Sequence, residues 1–434
     1  YEITIGDWSS DVCSSDLVSS FHLSLPMSTS AAPNSVGYHR IDPKNDNRVQ
    51  TIDVKPVEGE EFEKYGLKED ILKALCEKGW EKPSPVQSQT IPAILAGRDV
   101  LARSKNGTGK TGAYVIPCLN QVDTSVNAIQ VLILVPAREL ALQTSRVVKE
   151  LGQMMKVKSM VCFGGQSLAE DLYRLRKGVQ VLVGTAARIL DITKRGHCDL
   201  SHCRYLVLDE ADKMLSDNFR PVVEEIISLL PAERQIMLLS ATFPTAVKSF
   251  ADAFMHEPVM VNMMEELTLH GVTQYYVFLE ERQKVNALHT LFSKLEVNQS
   301  IIFCNSVARV ELLAKKIIDL GYSCFYIHSH MPQEDRNRVF HNFTRGAARH
   351  LVCTDLFARG VDVQSVNVVI NFDLPQSSET YLHRIGRSGR FGHLGLAVDF
   401  ITEKDKETFY TIEQELETEV QPFPKEVDRN LYCI

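Results

Sequence analysis

Residues 107 to 111 read Gly-Thr-Gly-Lys-Thr, a combination that can hold the phosphates of a nucleotide. Glycines let backbone N–H groups turn toward phosphate oxygens, a lysine reaches the β and γ phosphates, and the next hydroxyl can hold Mg²⁺. The segment lies between the apolar run 99–102 and the helix-like stretch 112–122. The strict phosphate-loop pattern has glycine where this chain has Ser104, and glycine-rich turns also arise by chance, so other segments must decide.

A second candidate lies at residues 205 to 212, which read Tyr-Leu-Val-Leu-Asp-Glu-Ala-Asp. Asp209 ends a buried apolar run and suits Mg²⁺, usually through water, while Glu210 can act as a base or orient the attacking water. The alternative is an acidic helix start, because Asp and Glu favour the first turn. Ser240 and Thr242 follow another apolar run and can bridge this motif to a further element, unless they only cap the next helix.

Three arginines and two glycines lie within residues 383 to 390, His-Arg-Ile-Gly-Arg-Ser-Gly-Arg. A guanidinium group matches phosphate oxygens and can stabilise the charge that develops on a γ phosphate during transfer. A solvated basic face is the alternative, but glycines weaken an ordinary surface helix and favour close approach to a ligand. The segment is therefore a candidate arginine finger.

Composition allows a globular protein of two or three domains, since the chain has 434 residues of which 44% are hydrophobic and 24% are charged. The net charge is −8, but residues 1–26 hold four acidic and no basic side chains, and without them the balance is 51 acidic to 47 basic. A nucleic-acid partner is not excluded, because a local basic groove suffices. We expect residues 1–26 to be a non-native leader, resembling translated adapter or vector sequence ahead of Met27, and residues 27–60 to be a disordered extension.

Neither a membrane span nor a signal peptide is expected, because no apolar run reaches roughly 18 to 20 residues and no basic-then-apolar segment opens the chain. We therefore expect a soluble intracellular protein without a membrane partner. The ten cysteines form no CxxC pair, which favours free thiols in a reducing compartment. His197, Cys198, His202 and Cys203 resemble a zinc set in composition but lack its spacing, and a loop that enters a strand is preferred.

Short apolar runs alternate with helix-like amphipathic segments, which is typical of parallel sheets covered by helices on both faces. In the first half the expected strands are 99–103, 131–135, 158–163, 179–184, 205–209 and 235–240. In the second half they are 273–279, 300–304, 324–328, 350–354, 366–372 and 395–401. The sequence therefore predicts two α/β domains, residues 61–262 and 273–434, joined by a linker at 263–272.

A set of motifs in a defined order resembles that of the DEAD-box RNA helicases. These are Gly107-Thr-Gly-Lys-Thr, Asp209-Glu-Ala-Asp, Ser240-Ala-Thr, Thr354-Asp, Ala358-Arg-Gly-Val-Asp and His383-Arg-Ile-Gly-Arg-Ser-Gly-Arg. The match runs from about residue 62 to the C-terminus and implies two RecA-like domains that use ATP and Mg²⁺. Within the family, residues 264–268 (Met-Glu-Glu-Leu-Thr), 271–276 and 302–306 look closest to the decapping-activator and translational-repressor branch.

The resemblance implies roles for the residues of an ATP site. Gln87 would bind the adenine edge with Phe62 and Trp80 packed around the ring, although a core aromatic pair is the alternative for the two aromatics. The other implied ATP-binding residues are Ser104, Lys105, Asn106, Gly107, Thr108, Gly109, Lys110, Thr111 and Asp362. The implied catalytic residues are Lys110, Asp209, Glu210, Arg387 and Arg390; the Mg²⁺ ligands, partly through water, are Thr111 and Asp209; the coupling residues are Ser240, Thr242 and His383.

The resemblance also implies contacts with the sugar-phosphate backbone of RNA and little reading of bases. The residues are Pro136, Arg138, Gly165, Thr185, Arg188, Gln333, Arg336 and Thr354. The chain departs from the family nearby: it has Ala137 where threonine is usual, and Ala186 and Ala187 where proline and glycine are usual. These changes remove a hydroxyl and alter the backbone options of a phosphate-contacting loop.

The implied function is an ATP-dependent RNA helicase that clamps RNA, unwinds it locally and hydrolyses ATP in response to it, with both ligands driving one closure. The branch resemblance implies mRNA decay and translational repression, with proteins of those processes docking on the second domain, in the cytoplasm or in its P-bodies. Two alternatives stay open. One is an ATP-gated RNA clamp and protein scaffold with little unwinding, and the other is a DNA translocase, which the acidic and adenine-reading motifs disfavour.

Overall fold

The computed structural model describes residue 55 and residues 57–263, 271–357, 363–389 and 393–432. The expected leader, most of the expected N-terminal extension, Asp362 and Arg390 lie outside these described residues. Within them the chain forms two seven-stranded sheets, one in each half of the sequence.

The first sheet is built from parallel strands whose carboxyl ends form one edge. Its strands are β1 (Val100–Arg103), β2 (Val131–Leu134), β3 (Ser159–Cys162), β4 (Val181–Gly184), β5 (Tyr205–Asp209), β6 (Gln235–Ser240) and β7 (Val259–Asn262). They lie in the order β3-β4-β2-β5-β6-β1-β7. Asp209 is in register with Leu239, and Ser240 with Arg103, so the ends of β5, β6 and β1 lie side by side. Open parallel sheets bind ligands at this edge.

The second sheet repeats the arrangement. Its strands are β8 (Val272–Phe278), β9 (Gln299–Phe303), β10 (Cys324–Ile327), β11 (His350–Cys353), β12 (Val366–Asn371), β13 (Gly395–Ile401) and β14 (Gln421–Pro422). They are parallel and lie in the order β10-β11-β9-β12-β13-β8-β14. Phe303 is in register with both Cys353 and Asn371, so the ends of β11, β9 and β12 also meet at one edge.

Helices connect the strands and cover the sheets. In the first half they are α1 (Glu69–Glu77), α2 (Pro85–Leu95), α3 (Lys110–Gln121), α4 (Arg138–Gly152), α5 (Leu168–Arg176), α6 (Ala186–Lys194), α7 (Ala211–Met214), α8 (Arg220–Ser228) and α9 (Thr245–Phe254). In the second half they are α10 (Lys284–Lys294), α11 (Val307–Asp319), α12 (Gln333–Thr344), α13 (Ser378–Ile385) and α14 (Lys406–Glu415). Among the described residues, 3₁₀ turns occur at Phe62–Tyr65, Glu281–Gln283, Asp355–Phe357, Glu403–Asp405 and Arg429–Leu431.

The central strands of each sheet are buried on both faces, which explains why they read as continuous rather than alternating runs. On β2, Val131 and Ile133 pack in one hydrophobic cluster of the first half, while Leu132 and Leu134 pack in another on the opposite face. On β9, Ile301 and Ile302 divide between two clusters in the same way. Each sheet is therefore the middle layer of a helix-sheet-helix sandwich.

The structure confirms the predicted α/β architecture, and every expected strand occurs within two residues of its predicted bounds. The sequence reasoning missed β7 and β14, because both are short edge strands with little buried surface: only Val261 is buried on β7, and β14 has two exposed residues. The last strand of the first sheet, β7, ends at Asn262, and the first strand of the second sheet, β8, begins at Val272. The expected linker at 263–272 follows β7 and overlaps the first residue of β8.

The helices of the described ranges are too short or too polar to cross a membrane. The cysteines that the structure describes are free thiols. Cys198 and Cys203 are buried in a hydrophobic cluster of the first half, in keeping with the preferred interpretation of their segment as a connection into β5.

Candidate active site

The glycine-rich loop lies between β1 and α3, at the carboxyl edge of the first sheet. Gly107 and Gly109 have φ angles of 84° and 97°, which side chains rarely adopt. The Lys110 ammonium donates to the carbonyl of Ser104 at 2.8 Å and to Asn106 Oδ1 at 2.9 Å, so the loop wraps around the lysine. Ser104, the departure from the strict pattern, is fully buried, and its hydroxyl accepts a hydrogen bond from Thr108 at 3.1 Å. The serine thus stabilises the loop from inside.

The acidic motif lies at the end of β5, beside this loop. Asp209 is buried and accepts a hydrogen bond from the Tyr114 hydroxyl at 2.8 Å. Burial, together with the charge of Glu210, raises the pKa of Asp209 to about 6. Glu210 has a φ of 52°, a left-handed conformation that is uncommon for a residue with a side chain. Glu210 is also buried, so two neighbouring carboxylates lie out of contact with solvent at the end of β5.

Asp212 connects the two halves of the chain. Its Oδ2 accepts a hydrogen bond from the Thr242 hydroxyl at 2.8 Å and lies 2.7 Å from His383 Nε2, and its backbone N–H donates to Ser240 Oγ at 3.3 Å. His383 comes from α13 of the second half, so the structure brings together the three predicted coupling residues. Among the described residues, neither Glu210 Oε2 nor His383 Nδ1 has a hydrogen-bond partner, and these atoms are 4.0 Å apart.

Arg387 follows the same helix and is almost fully buried, with 1% of its surface exposed. Its Nε donates to the carbonyl of His383 at 3.0 Å, and its backbone N–H donates to the carbonyl of Arg384 at 3.0 Å. These two bonds tie Arg387 to the end of α13. Arg390 lies outside the described residues.

The predicted adenine-reading residues lie on the other side of the glycine-rich loop. Gln87 accepts a hydrogen bond from the backbone N–H of Ser84 at 3.0 Å and donates to the carbonyl of Gly109 at 3.1 Å. A Cβ atom at Gly112 would lie 2.9 Å from the Trp80 ring, so only glycine allows this approach. Phe62 has 2% of its surface exposed within the core of the first half, and its contact with adenine stays a prediction.

Residues predicted to contact RNA face each other across the two halves. Arg138 Nη1, on α4, donates to Gln333 Oε1, on α12, at 2.6 Å. Arg336 Nη2 lies 2.5 Å from Glu139 Oε1, and both side chains are more than 90% buried. Arg138 also covers Gly165, where a Cβ atom would lie 2.9 Å from its Nη1. Four predicted residues thus form one cluster, with Glu139 as the partner that the sequence reasoning missed.

Arg188 differs from Arg138 and Arg336, because its guanidinium is held by a buried carboxylate of its own half. Nη2 and Nε donate to Asp171 Oδ2 at 2.8 Å and 3.2 Å. Asp171 lies on α5 and has 2% of its surface exposed. Nothing in the sequence motifs indicated this partner, since Asp171 sits 17 residues away in an ordinary helical segment.

The remaining predicted RNA-binding residues follow strand ends. Pro136 comes after β2, Thr185 after β4 and Thr354 after β11. Thr185 is the N-cap residue of α6, and Ala137 is the N-cap residue of α4. Backbone N–H groups at helix starts suit phosphate oxygens, so these positions fit contacts with a sugar-phosphate backbone.

Comparison with known proteins agrees with this geometry. Residues 84–250 match the DEAD/DEAH box helicase family, and residues 283–392 match the family described as helicase conserved C-terminal domain. The chain is 61% identical over 391 residues to DEAD-box ATP-dependent RNA helicase 6 of Oryza sativa subsp. japonica, covering 90% of this chain and 78% of that protein. It belongs to the DEAD-box RNA helicases.

Two further relatives bear on the branch of this helicase. The probable ATP-dependent RNA helicase ddx6 of Dictyostelium discoideum is 59% identical, with 90% of this chain and 92% of that protein covered. The ATP-dependent RNA helicase DHH1 of Meyerozyma guilliermondii is 57% identical, with 90% and 71% covered. The resemblance to the decapping-activator branch is confirmed, and the helicase is an ATPase enzyme.

Solved structures confirm the RecA-like fold of the helicase. S. cerevisiae Dbp5 bound to RNA and ADP BeF3 is 29% identical and superposes with a TM-score of 0.77, covering 84% of this chain and 96% of that chain. Mss116p bound to ssRNA and AMP-PNP is 24% identical with a TM-score of 0.78, covering 87% and 82%, and shows the same fold.

Proposed function

We propose that this helicase clamps RNA across its two halves, hydrolyses ATP in response to RNA and separates short duplexes locally, in mRNA decay and translational repression. The two halves would correspond to RecA-like domains at residues 61–262 and 273–434, with residues 263–272 as the linker. The first domain would bind ATP. The second would supply the groups that complete hydrolysis.

The observation that carries this proposal is the contact of His383 with Asp212. The glycine-rich loop and the carboxylates belong to the first half, whereas His383 and Arg387 belong to the second. A bond of 2.7 Å across the halves supports a site that is complete only when they meet. A ligand that stabilises their contact would therefore stimulate hydrolysis.

A divalent cation fits the donor set of the first half. Asp209 offers a buried carboxylate whose raised pKa reflects burial and a neighbouring negative charge, and Thr111 offers a hydroxyl at the start of α3. Hard cations such as Mg²⁺ prefer such oxygen ligands, usually with several waters retained. When bound, the cation would neutralise phosphate charge. Glu210, whose buried Oε2 has no hydrogen-bond partner among the described residues, would orient the attacking water.

RNA would lie across both halves at the cluster of Arg138, Gln333 and Arg336. These side chains come from α4 and α12, and their bonds already join the two halves. Dbp5, whose fold the helicase shares, has been solved with RNA and a nucleotide analogue. Contacts through arginine and amide groups grip a backbone without selecting bases, so sequence specificity would be low.

The cellular role rests on similarity to DHH1 and ddx6. By that similarity, proteins of mRNA decay and translational repression would dock on the second domain, and the helicase would act in the cytoplasm or in its P-bodies.

Steady-state ATPase measured with and without single-stranded RNA, on protein that begins at Met27, tests the central proposal. We expect RNA to stimulate hydrolysis and single-stranded DNA to have little effect. A strand-separation assay on a short RNA duplex then decides between local unwinding and an ATP-gated clamp. Slow turnover with long-lived RNA complexes and no strand separation would favour the clamp, and stimulation by DNA alone would contradict the RNA assignment.

A further inference from the structure

Arg384 is a buried arginine of the second half to which the motif roles above assign no function. It lies on α13 between His383 and Ile385, with none of its surface exposed. Its guanidinium carbon lies 5.2 Å from the centre of the Phe303 ring. A charged group so deeply buried is costly unless its hydrogen bonds are satisfied.

Every N–H group of this guanidinium has an acceptor. Nη1 donates to the carbonyl of Asp373 at 2.6 Å and to Asn371 Oδ1 at 3.3 Å. Nη2 donates to Asn305 Oδ1 at 2.7 Å and to Asp355 Oδ2 at 3.0 Å, and Nε donates to Asp355 Oδ1. An arginine has five such donors, so none is left for a ligand. Arg384 therefore holds protein groups in place.

The acceptors come from three neighbouring strand ends. Asn305 follows β9, Asp355 follows β11, and Asn371 ends β12, which are adjacent in the second sheet. Of these three acceptor residues, Asp355 alone is adjacent in sequence to a predicted RNA-binding residue, Thr354. It binds the guanidinium through both carboxylate oxygens, a geometry that gives strong and directional contacts.

Arg384 is also connected, through the backbone of α13, to residues of the candidate ATP site. The carbonyl of Arg384 accepts from the backbone N–H of Arg387 at 3.0 Å. The preceding residue, His383, contacts Asp212 of the first half. A shift of the Arg384 side chain would therefore move the residues that approach the carboxylates.

We propose that Arg384 is a positioning residue that couples the loop of Thr354 and Asp355 to the helix carrying His383 and Arg387. The inference rests on the proposed function, because it uses RNA at Thr354 and the γ phosphate at Arg387. RNA that holds Thr354 would keep Asp355 against Arg384 and thereby keep α13 in the position for hydrolysis.

Asp355→Asn tests the coupling without removing a core residue, because 48% of the Asp355 side chain is exposed. The variant loses the charge that holds the guanidinium. We expect kcat at saturating RNA to fall about tenfold, as for the loss of a charge-assisted hydrogen bond, while KM for ATP changes little. The measurement is steady-state ATPase across ATP concentrations with saturating single-stranded RNA.

Asn305→Ala is the matched control, because it removes another acceptor of the same Nη2 group without touching the Thr354 loop. We expect it to keep the RNA-stimulated kcat even if its Tm falls. The double variant Arg384→Lys with Asp355→Asn should have the same kcat as Arg384→Lys alone, because both substitutions break the same contact between the two side chains.

Two results would overturn the coupling: Asp355→Asn with wild-type kcat at saturating RNA, or Asn305→Ala with an equal loss. A wild-type protein that RNA does not stimulate would overturn the proposed function and this inference together. Stimulation of the wild type and of Asp355→Asn to the same extent would overturn the inference alone.

Discussion

At the scale of single residues, Glu210 combines three properties of a catalytic carboxylate. Its backbone is left-handed, its side chain is buried, and its Oε2 has no hydrogen-bond partner among the described residues. Such strain and unsatisfied polarity are unfavourable for folding and are found where function requires them. Asp209, one residue earlier, uses its carboxylate differently, since Tyr114 and the backbone of Glu210 donate to it.

Glu210→Gln is expected to reduce ATP turnover by a factor of about 100 or more, because an amide cannot accept the proton of the attacking water. ATP-dependent RNA binding should remain, since the glycine-rich loop and the inter-half contacts are unchanged. Steady-state ATPase and RNA binding with and without ATP provide the two readouts. Wild-type ATPase in this variant would contradict the role of Glu210.

Asp399, on β13, is a second buried carboxylate with a pH-dependent effect on stability. It accepts hydrogen bonds from Asn371 at 2.7 Å and Tyr381 at 2.8 Å, and burial raises its pKa to about 6 from an ordinary value of 3.8. The folded state therefore holds the proton more tightly than the unfolded state. This group makes the free energy of unfolding fall as pH rises from about 4 to about 6.

Asp399→Asn is neutral at every pH and keeps an acceptor for Asn371. We expect the Tm of the variant minus that of the wild type to rise between about pH 4 and pH 6 and to level off above. The raised pKa of Asp399 corresponds to a decrease of about 3 kcal/mol in the free energy of unfolding of the wild type at neutral pH. Thermal unfolding over that range measures it, and a difference that does not change with pH would show that Asp399 does not titrate there.

At the scale of elements, the start of α4 carries residues that we propose to contact RNA. Ala137 is the N-cap residue of α4, with φ −130° and ψ 148°, the extended conformation that a capping threonine adopts. It precedes Arg138 and Glu139, which both contact the second half. An alanine there leaves backbone N–H groups of the first turn without a side-chain acceptor.

Ala137→Thr is expected to raise the free energy of unfolding by about 1 kcal/mol through a capping hydrogen bond, and to tighten RNA binding. Ala137→Val is the control, because valine has the same branched shape without the hydroxyl. Chemical denaturation and RNA titration at constant salt compare the three proteins. An equal effect of valine would show that shape, rather than capping, is responsible.

At the scale of the whole molecule, the described residues of the two halves include contacts at two separate places. One is the contact of His383 with Asp212 beside the glycine-rich loop, and the other is the buried pair of Arg336 and Glu139 with the adjoining Arg138. Breaking a buried ion pair leaves a charge without compensation, which costs about 3–5 kcal/mol. The second contact therefore contributes to holding the halves together.

Arg336→Gln is expected to favour separation of the halves. In the variant the Glu139 carboxylate would be buried without a cationic partner while the halves stay together, and separation would expose it to water. Energy transfer between dyes placed on the two halves should decrease. Arg338→Gln is the control on the same helix, since Arg338 pairs with Asp335 at the surface at 2.7 Å. A variant at Arg336 with unchanged energy transfer would show that the pair does not hold the closed arrangement.

The sequence by itself determined the parallel sheets and the position of the glycine-rich loop, because both depend on neighbouring residues. Apolar runs such as residues 131–134 are continuous where both faces of a strand are buried, and the glycines of the loop are required by its backbone. Edge strands β7 and β14 escaped this reasoning because they bury too little surface to leave such a pattern.

Only the tertiary structure decided which side chains meet across the chain. Asp212 and His383 are 171 residues apart, and Glu139 and Arg336 are 197 apart. A polar pair of this kind leaves no periodic trace in the sequence. The family resemblance named His383 as a coupling residue but did not give Asp212 as its partner. The five satisfied donors of Arg384 likewise depend on three strand ends that the fold, rather than the order of residues, places side by side.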